Sequence, residues 1–232
     1  TPGMIILYIV VYLVALLWLF PMLWMFISSF KPYGTPVSIL SELFKGSFSL
    51  DNYTAVAEKA PIFRWIFNSA FIAVVVTFGI VIMTSMAAYA VSKLKFVGKN
   101  VIFIVITAGM MVPIESIIIP LYQEMSDLGL LNTYVGLMCP SLAAPIGVLI
   151  MKRSYDSIPD ELVEAALLDG ANAFQRWWRI CFPVSRSSMA EVGIFTFTNS
   201  WHNFLWPFLS ITSDNMMTLP VGIPNFQGAH LS

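Results

Sequence analysis

Few side chains in this sequence could carry chemistry, and their spacing excludes most kinds. His202 and His230 are the only histidines, and Cys139 and Cys181 the only cysteines. No CxxC or Cys/His run joins them, so neither a metal site nor a disulfide is expected. No nucleophile stands with a base and an orienting group, which leaves the catalytic set empty and predicts a chain that is not an enzyme. The phosphate loop GxxxxGK[ST] is absent, so ATP hydrolysis by this chain is excluded. What remains is binding chemistry. Asn199, Ser200, Trp201, His202, Asn203 and Trp206 gather amides and aromatic faces in one apolar segment. That mixture suits a neutral polyhydroxy solute, and Asn199, Trp201, Asn203 and Trp206 are the candidate pathway residues. The same types serve equally well as interhelical hydrogen bonds and as an interfacial aromatic belt.

A second constellation lies in residues 152–188. Pro159 fits the first turn of a helix, Asp160, Glu161 and Glu164 suit its positive end, and Gly170 supplies a left-handed stop. Asn172 can cap a second helix over 173–182, in which Phe174, Trp177, Trp178 and Cys181 recur at spacings of three and four before Pro183 ends it. Ala165 and Ala166 let the first helix approach another backbone closely, and Glu164 and Asp169 can pair with basic groups across a wet boundary. A short rigid knob is predicted. Periodicity alone describes an interfacial amphipathic helix in a solvated loop just as well.

The elements that hold these residues are read from composition. The chain has 232 residues, 58% hydrophobic and 11% charged, with a mean hydropathy of +0.79. Soluble domains carry about 25% charged residues. The fold class expected is therefore all-α, a polytopic membrane helical bundle in a single domain. A spanning helix needs roughly 20 apolar residues, and residues 5–30, 65–92, 100–122, 132–151 and 190–211 qualify, the third with Glu115 as its one charge. The first run is too long for a signal-peptide core and has no basic leader or cleavage site. Pro220, Gly222, Pro224 and Gly228 predict a folded-back outer loop, without regular helix, over 217–232.

Lysines and arginines give the orientation. The second linker has Lys93, Lys95 and Lys99, and the fourth has Lys152, Arg153, Arg176, Arg179 and Arg186. The first linker has Lys31, Lys45, Lys59 and Arg64, while the third and the tail have none, a division of eight against four. A cytoplasmic N-terminus follows. The net charge of -1 and the absence of a basic stripe give no footprint for nucleic acid.

Residues 164–171 (EAALLDGA), followed by 180–183 (ICFP), resemble the EAA loop of ABC importer permeases. Residues 21–32 (PMLWMFISSFKP), Asn52-Tyr53, Asn68-Ser69, 87–98 (AAYAVSKLKFVG), 120–122, 128–133 (LGLLNT), 201–207 and 218–222 (TLPVG) are similar to its carbohydrate-uptake branch, in particular the maltose-permease-like second membrane subunit. The resemblance covers essentially the whole chain. It implies a prokaryotic cell-membrane protein with six spans, the sixth lying beyond this sequence. It also implies a second homologous permease subunit, an extracytoplasmic solute-binding protein, and two ATPase subunits that bind ATP and magnesium, while this chain binds no cofactor. Glu164, Ala165, Ala166, Asp169, Gly170 and Pro183 then become the ATPase-coupling residues. Glycerol-phosphate and other polyol importers of the branch share these features, so the solute class stays open between them and sugars. An ion-coupled secondary transporter would need a relay, for which only Glu115, Glu191 and His202 are available, at different depths.

Overall fold

The computed structural model describes residues 2–32 and 40–230, all of whose regular structure is helical. The chain divides into two compact units, residues 1–62 and 63–232.

In the first unit, α1 (Pro2–Ser28) is apolar all round and exposed from Gly3 to Leu23, the character of a helix solvated by lipid or by a partner. Its C-terminal end is stitched to the segment around α3 (Asp51–Lys59). Asn52 Nδ2 donates to the carbonyls of Ser29 (3.1 Å) and Lys31 (2.6 Å), and the Ser29 and Tyr53 hydroxyls lie 2.6 Å apart. Lys31 is buried, donating to the Lys45 carbonyl at 2.7 Å with its ammonium 4.3 Å from the Phe48 ring centre. Between the two stitched segments, α2 (Leu40–Leu43) is a single turn.

The second unit is organised around α4 (Ile62–Lys93), whose 32 residues extend about 48 Å. Its buried positions, including Trp65, Asn68, Ile72, Val76, Ile80, Thr84, Ala88 and Tyr89, follow helical spacing. Glycines set the close approaches of its neighbours. A Cβ on Gly147 of α8 (Pro145–Asp156) would sit 2.8 Å from the Thr84 methyl carbon. Gly193 of α12 (Arg186–Trp201) meets Thr77 and Val81 at ordinary contact distances.

Among the described residues, only α1 and α4 are long and apolar enough to cross a membrane unbroken, with up to four crossings if each bent pair counts as one. The expected five spans are corrected accordingly, and the breaks have local causes. α5 (Lys99–Ala108), extended by a 3₁₀ turn to Met111, meets α6 (Ile114–Asp127) at 99°. Pro113 lacks an N–H and forces Val112 into the extended region (φ −88°, ψ 111°). α7 (Tyr134–Met138) and its 3₁₀ extension to Leu142 meet α8 at 48°, immediately before Pro145. The 190–211 segment divides into α12, which has 16 residues, and α13 (Leu205–Ser210). The gap over 202–204 lies just upstream of Pro207, whose ring would press on the Asn203 carbonyl of a continuous helix.

The tail is also corrected: 219–230 is a helix, α14 (Leu219–His230), and residues 231 and 232 lie outside the described residues. Pro220 falls in the first turn, where no N–H is needed, and the amides of Val221 and Gly222 close onto the Thr218 carbonyl at 3.1 and 2.8 Å. Gly222 lies flat against the Trp65 indole, where any Cβ would collide. The glycine read as a helix breaker is there for close packing.

Candidate functional site

The constellation at 158–183 is built on α9 (Asp160–Leu168), with Pro159 as the residue preceding its first turn. The helix ends in a Schellman turn: the Ala171 amide donates to Ala166 O (2.9 Å) and the Gly170 amide to Leu167 O (3.0 Å), with Gly170 at φ +82°. Asn172 then opens α10 (Ala173–Arg176) with a reciprocal capping box, its Oδ1 accepting from the Gln175 amide and its own amide donating to Gln175 Oε1, both at 2.9 Å. The following turn, Trp177–Cys181, is π-helical and runs into α11 (Phe182–Val184). The wide turn opens the helix just before Pro183, whose ring would otherwise meet the Arg179 carbonyl. It also redistributes the expected apolar face. Trp177 and Cys181 are buried, whereas Phe174 and Trp178 are exposed.

Two anchors fix this loop to the bundle. Trp177 Nε1 donates to Ser85 Oγ at 2.9 Å, and that hydroxyl lies 2.5 Å from Tyr155 OH, tying the loop to α4 and α8 in a fully buried triad. Lys93, at the end of α4, donates to Ile158 O (2.6 Å) and Asp160 Oδ1 (2.5 Å). The hydrogen bond from Lys93, with its charge, holds the Asp160 carboxyl below the usual range. Burial pushes the Cys181 thiol up, so it stays protonated and inert. Sequence reading missed Ser85, Tyr155 and Lys93 as anchors; nothing in their spacing relates residues so far apart in the chain. Of the candidate coupling residues, Glu164, Ala165, Asp169 and Gly170 are exposed, while Ala166 and Pro183 are half-buried. Leu162, Leu167 and Leu168 are exposed beside them, Leu168 to 89%.

The four candidate pathway residues part company. Asn199 and Asn203 line a cavity of about 510 Å³ with Thr196, Ser200, Ser141 and Val76, and no charged residue is on its wall. Trp201 and His202 border a smaller hollow of about 210 Å³ with Phe197 and Thr198. Trp206 is buried, and its indole donates to the Gly136 carbonyl at 3.0 Å. Ser141 was not anticipated; it reaches the cavity wall from the 3₁₀ turn that precedes the break at Pro145. His202 Nδ1 lies 2.8 Å from the Thr198 carbonyl of its own helix. Glu115 and Glu191 are exposed, and no group of three His, Cys, Asp or Glu among the described residues could hold a metal ion.

The profile of the family described as binding-protein-dependent transport system inner membrane component matches residues 80–227. The chain is 32% identical over 215 residues to the arabinooligosaccharides transport system permease protein AraQ of Halalkalibacterium halodurans, covering 90% of this chain and 76% of that one. It is 33% identical over 165 residues to the sn-glycerol-3-phosphate transport system permease protein UgpE of Yersinia enterocolitica, covering 71% and 59%. Among solved structures, a chain of a bacterial ABC transporter involved in the import of the acidic polysaccharide alginate superposes with a TM-score of 0.82 at 23% identity, over 98% of this chain and 84% of that one.

Proposed function

Since the chain belongs to the family of binding-protein-dependent transport system inner membrane components, we propose that it couples ATP hydrolysis to solute passage through the 158–183 loop and a solute path beside Asn199 and Asn203. The chain is a multi-pass inner-membrane permease subunit of an ABC importer for sugars or polyols, working with a binding protein and ATPase partners. As one permease domain it pairs with a second, homologous permease subunit above two ATPases.

The observation that carries the coupling role is the exposed α9 knob. Leu162, Leu167 and Leu168 stand uncovered beside Glu164 and Asp169, a mixed surface suited to a cleft on the ATPase. Ala165 and Ala166 allow the close approach, and Pro183 lies in the last turn of the supporting helix, within α11. Behind the knob, the Lys93 and Trp177 anchors make it one body with α4 and α8, so closure of an ATPase cleft would move those helices as a rigid group.

For the solute, the uncharged wall of the 510 Å³ cavity favours a neutral sugar over a phosphate ester; the latter would call for cationic donors. Each amide hydrogen bond to such a solute contributes about 0.5–1.5 kcal/mol. Asn199→Ala and Asn203→Ala are each expected to lower sugar uptake severalfold while ATPase co-purification stays unchanged. Undiminished uptake in both variants would remove these residues from the path. Trp201 contributes an aromatic wall in this reading, and Trp206 supports the path from behind, through Gly136.

The orientation follows from the basic residues of the second and fourth linkers. Cysteines placed at Lys95 and Arg176 should react with impermeant thiol reagents only from the cytoplasmic side, and at Asp51 and Asp214 only from outside. Outside labelling at position 176 would reverse the assignment.

A further inference from the structure

A cavity of about 550 Å³ opens where the end of α4, the linker 94–98 and the α9–α10 loop meet. Its wall carries Lys93, Lys95, Lys99 and Arg176 against two carboxylates, Asp160 and Glu164. Lys93 is neutralised by Asp160. Lys99 spends its hydrogen bonds on the carbonyls of Ser92 (2.8 Å) and Leu94 (3.3 Å), which leave its charge uncompensated. Lys95 is exposed and makes no ion pair, and the Nε of Arg176 is buried with no hydrogen-bond partner. The wall is thus doubly cationic, with a guanidinium N–H left unmatched beside it. A buried donor without a partner is costly, and a phosphoryl oxygen is the acceptor that matches both its charge and its fork.

We propose that this cavity binds a phosphate group, held by Arg176, Lys95 and Lys99 at the cytoplasmic membrane boundary. Two sources offer that chemistry, an anionic lipid headgroup and a soluble phosphate. Lys93 ends the longest apolar helix of the bundle, which places the cavity at headgroup depth. The site takes Arg176 from the 158–183 loop and its lysines from the 93–99 segment, and its cytoplasmic placement rests on the orientation proposed above.

The complete importer, purified and reconstituted in nanodiscs of phosphatidylcholine with or without phosphatidylglycerol, provides the test. Retained lipid is read by native mass spectrometry, in the presence and absence of inorganic phosphate. Wild type should retain phosphatidylglycerol selectively. Lys95→Gln combined with Arg176→Gln should reduce that retention, at about fivefold per cation removed, whereas Lys95→Arg should preserve it. Retention that resists inorganic phosphate identifies the lipid as ligand; displacement by inorganic phosphate identifies a soluble phosphate site. Equal retention by wild type and the double variant, with no phosphate effect, overturns the proposal. So does a double variant that keeps its lipid yet loses its ATPase, since the cavity would then seat a side chain of that subunit. Co-purification of the ATPase in every sample reports on the coupling loop separately, so failure of one reading is distinguishable from failure of the other.

Discussion

A permease carrying Gly170→Val is expected to reach the membrane correctly folded, yet to import at a small fraction of the wild-type rate. Gly170 adopts φ +82°, a conformation that costs a β-branched residue about 1–3 kcal/mol. Nothing lies within 4 Å of the position its Cβ would take, so the penalty is purely conformational and no neighbour is displaced. It falls on the Schellman turn that fixes the end of α9, and it depletes the native turn by roughly 5- to 150-fold before any partner binds. The expected signature is weak ATPase binding, or ATP hydrolysis without import. Gly170→Asn should recover much of the activity, because asparagine tolerates the left-handed region. Glu164→Lys offers an independent probe, reversing an exposed charge while leaving the helix intact. Co-purification, ATP hydrolysis and uptake are measured together. Full coupling in both Gly170→Val and Glu164→Lys would reduce the loop to an ordinary linker.

That turn was legible in the sequence because its determinants are local. Gly170, Asn172 and Gln175 lie within six residues of each other and specify a stop and a start with standard chemistry. The length of α4 was equally legible, since 65–92 is an uninterrupted apolar run. The breaks were harder. Pro113, Pro145 and Pro207 were visible, but hydropathy windows average over a proline, and a 99° bend leaves composition untouched. The fate of the candidate pathway tryptophans was not legible at all. Whether an indole faces a cavity or donates to a carbonyl depends on which helix passes behind it, and Gly136 lies 70 residues from Trp206.

The short strings that resemble the permease family acquire a physical reason in the fold. Asn52-Tyr53 meets the end of the 21–32 string through the Ser29 and Lys31 carbonyls. The 128–133 string is a turn in which Asn132, at φ +56°, accepts three hydrogen bonds from Thr212 and Ser213 through its Oδ1. Asn68-Ser69 meets the 218–222 string: Asn68 donates to Met217 O, Ser69 Oγ accepts from the Leu219 amide, and Gly222 packs on Trp65. These are places where two distant segments satisfy one another's backbone groups. Their residue types are therefore constrained by pairs of positions, which no periodicity argument along one segment can detect.

The amides of this bundle then fall into two classes that a single experiment separates. Asn68 is fully buried and makes three hydrogen bonds, donating to Asn215 O (2.9 Å) and Met217 O (2.8 Å) and accepting from Tyr134 OH (2.7 Å). Interhelical hydrogen bonds in membranes contribute about 0.6–1.7 kcal/mol each, so Asn68→Ala is expected to cost about 2–4 kcal/mol. It would also leave the Met217 carbonyl and the Tyr134 hydroxyl without the partner Asn68 supplies, while the Asn215 carbonyl keeps Arg64 Nε at 3.4 Å. Asn203, by contrast, lines an open cavity. The prediction is a lower unfolding midpoint and faster proteolysis for the purified Asn68→Ala complex, accompanied by loss of uptake. Asn203→Ala should lower uptake severalfold with its unfolding midpoint unchanged. Asn68→Asp tests the donors alone, because it retains an acceptor for Tyr134 but presents a carboxylate to two carbonyls, and it should be at least as damaging as Ala. If Asn68→Ala unfolded at the wild-type midpoint, the junction of α4 with the segment leading into α14 would not be a structural tie. The distinction between amides that hold the bundle and amides that meet the solute would then lose its basis.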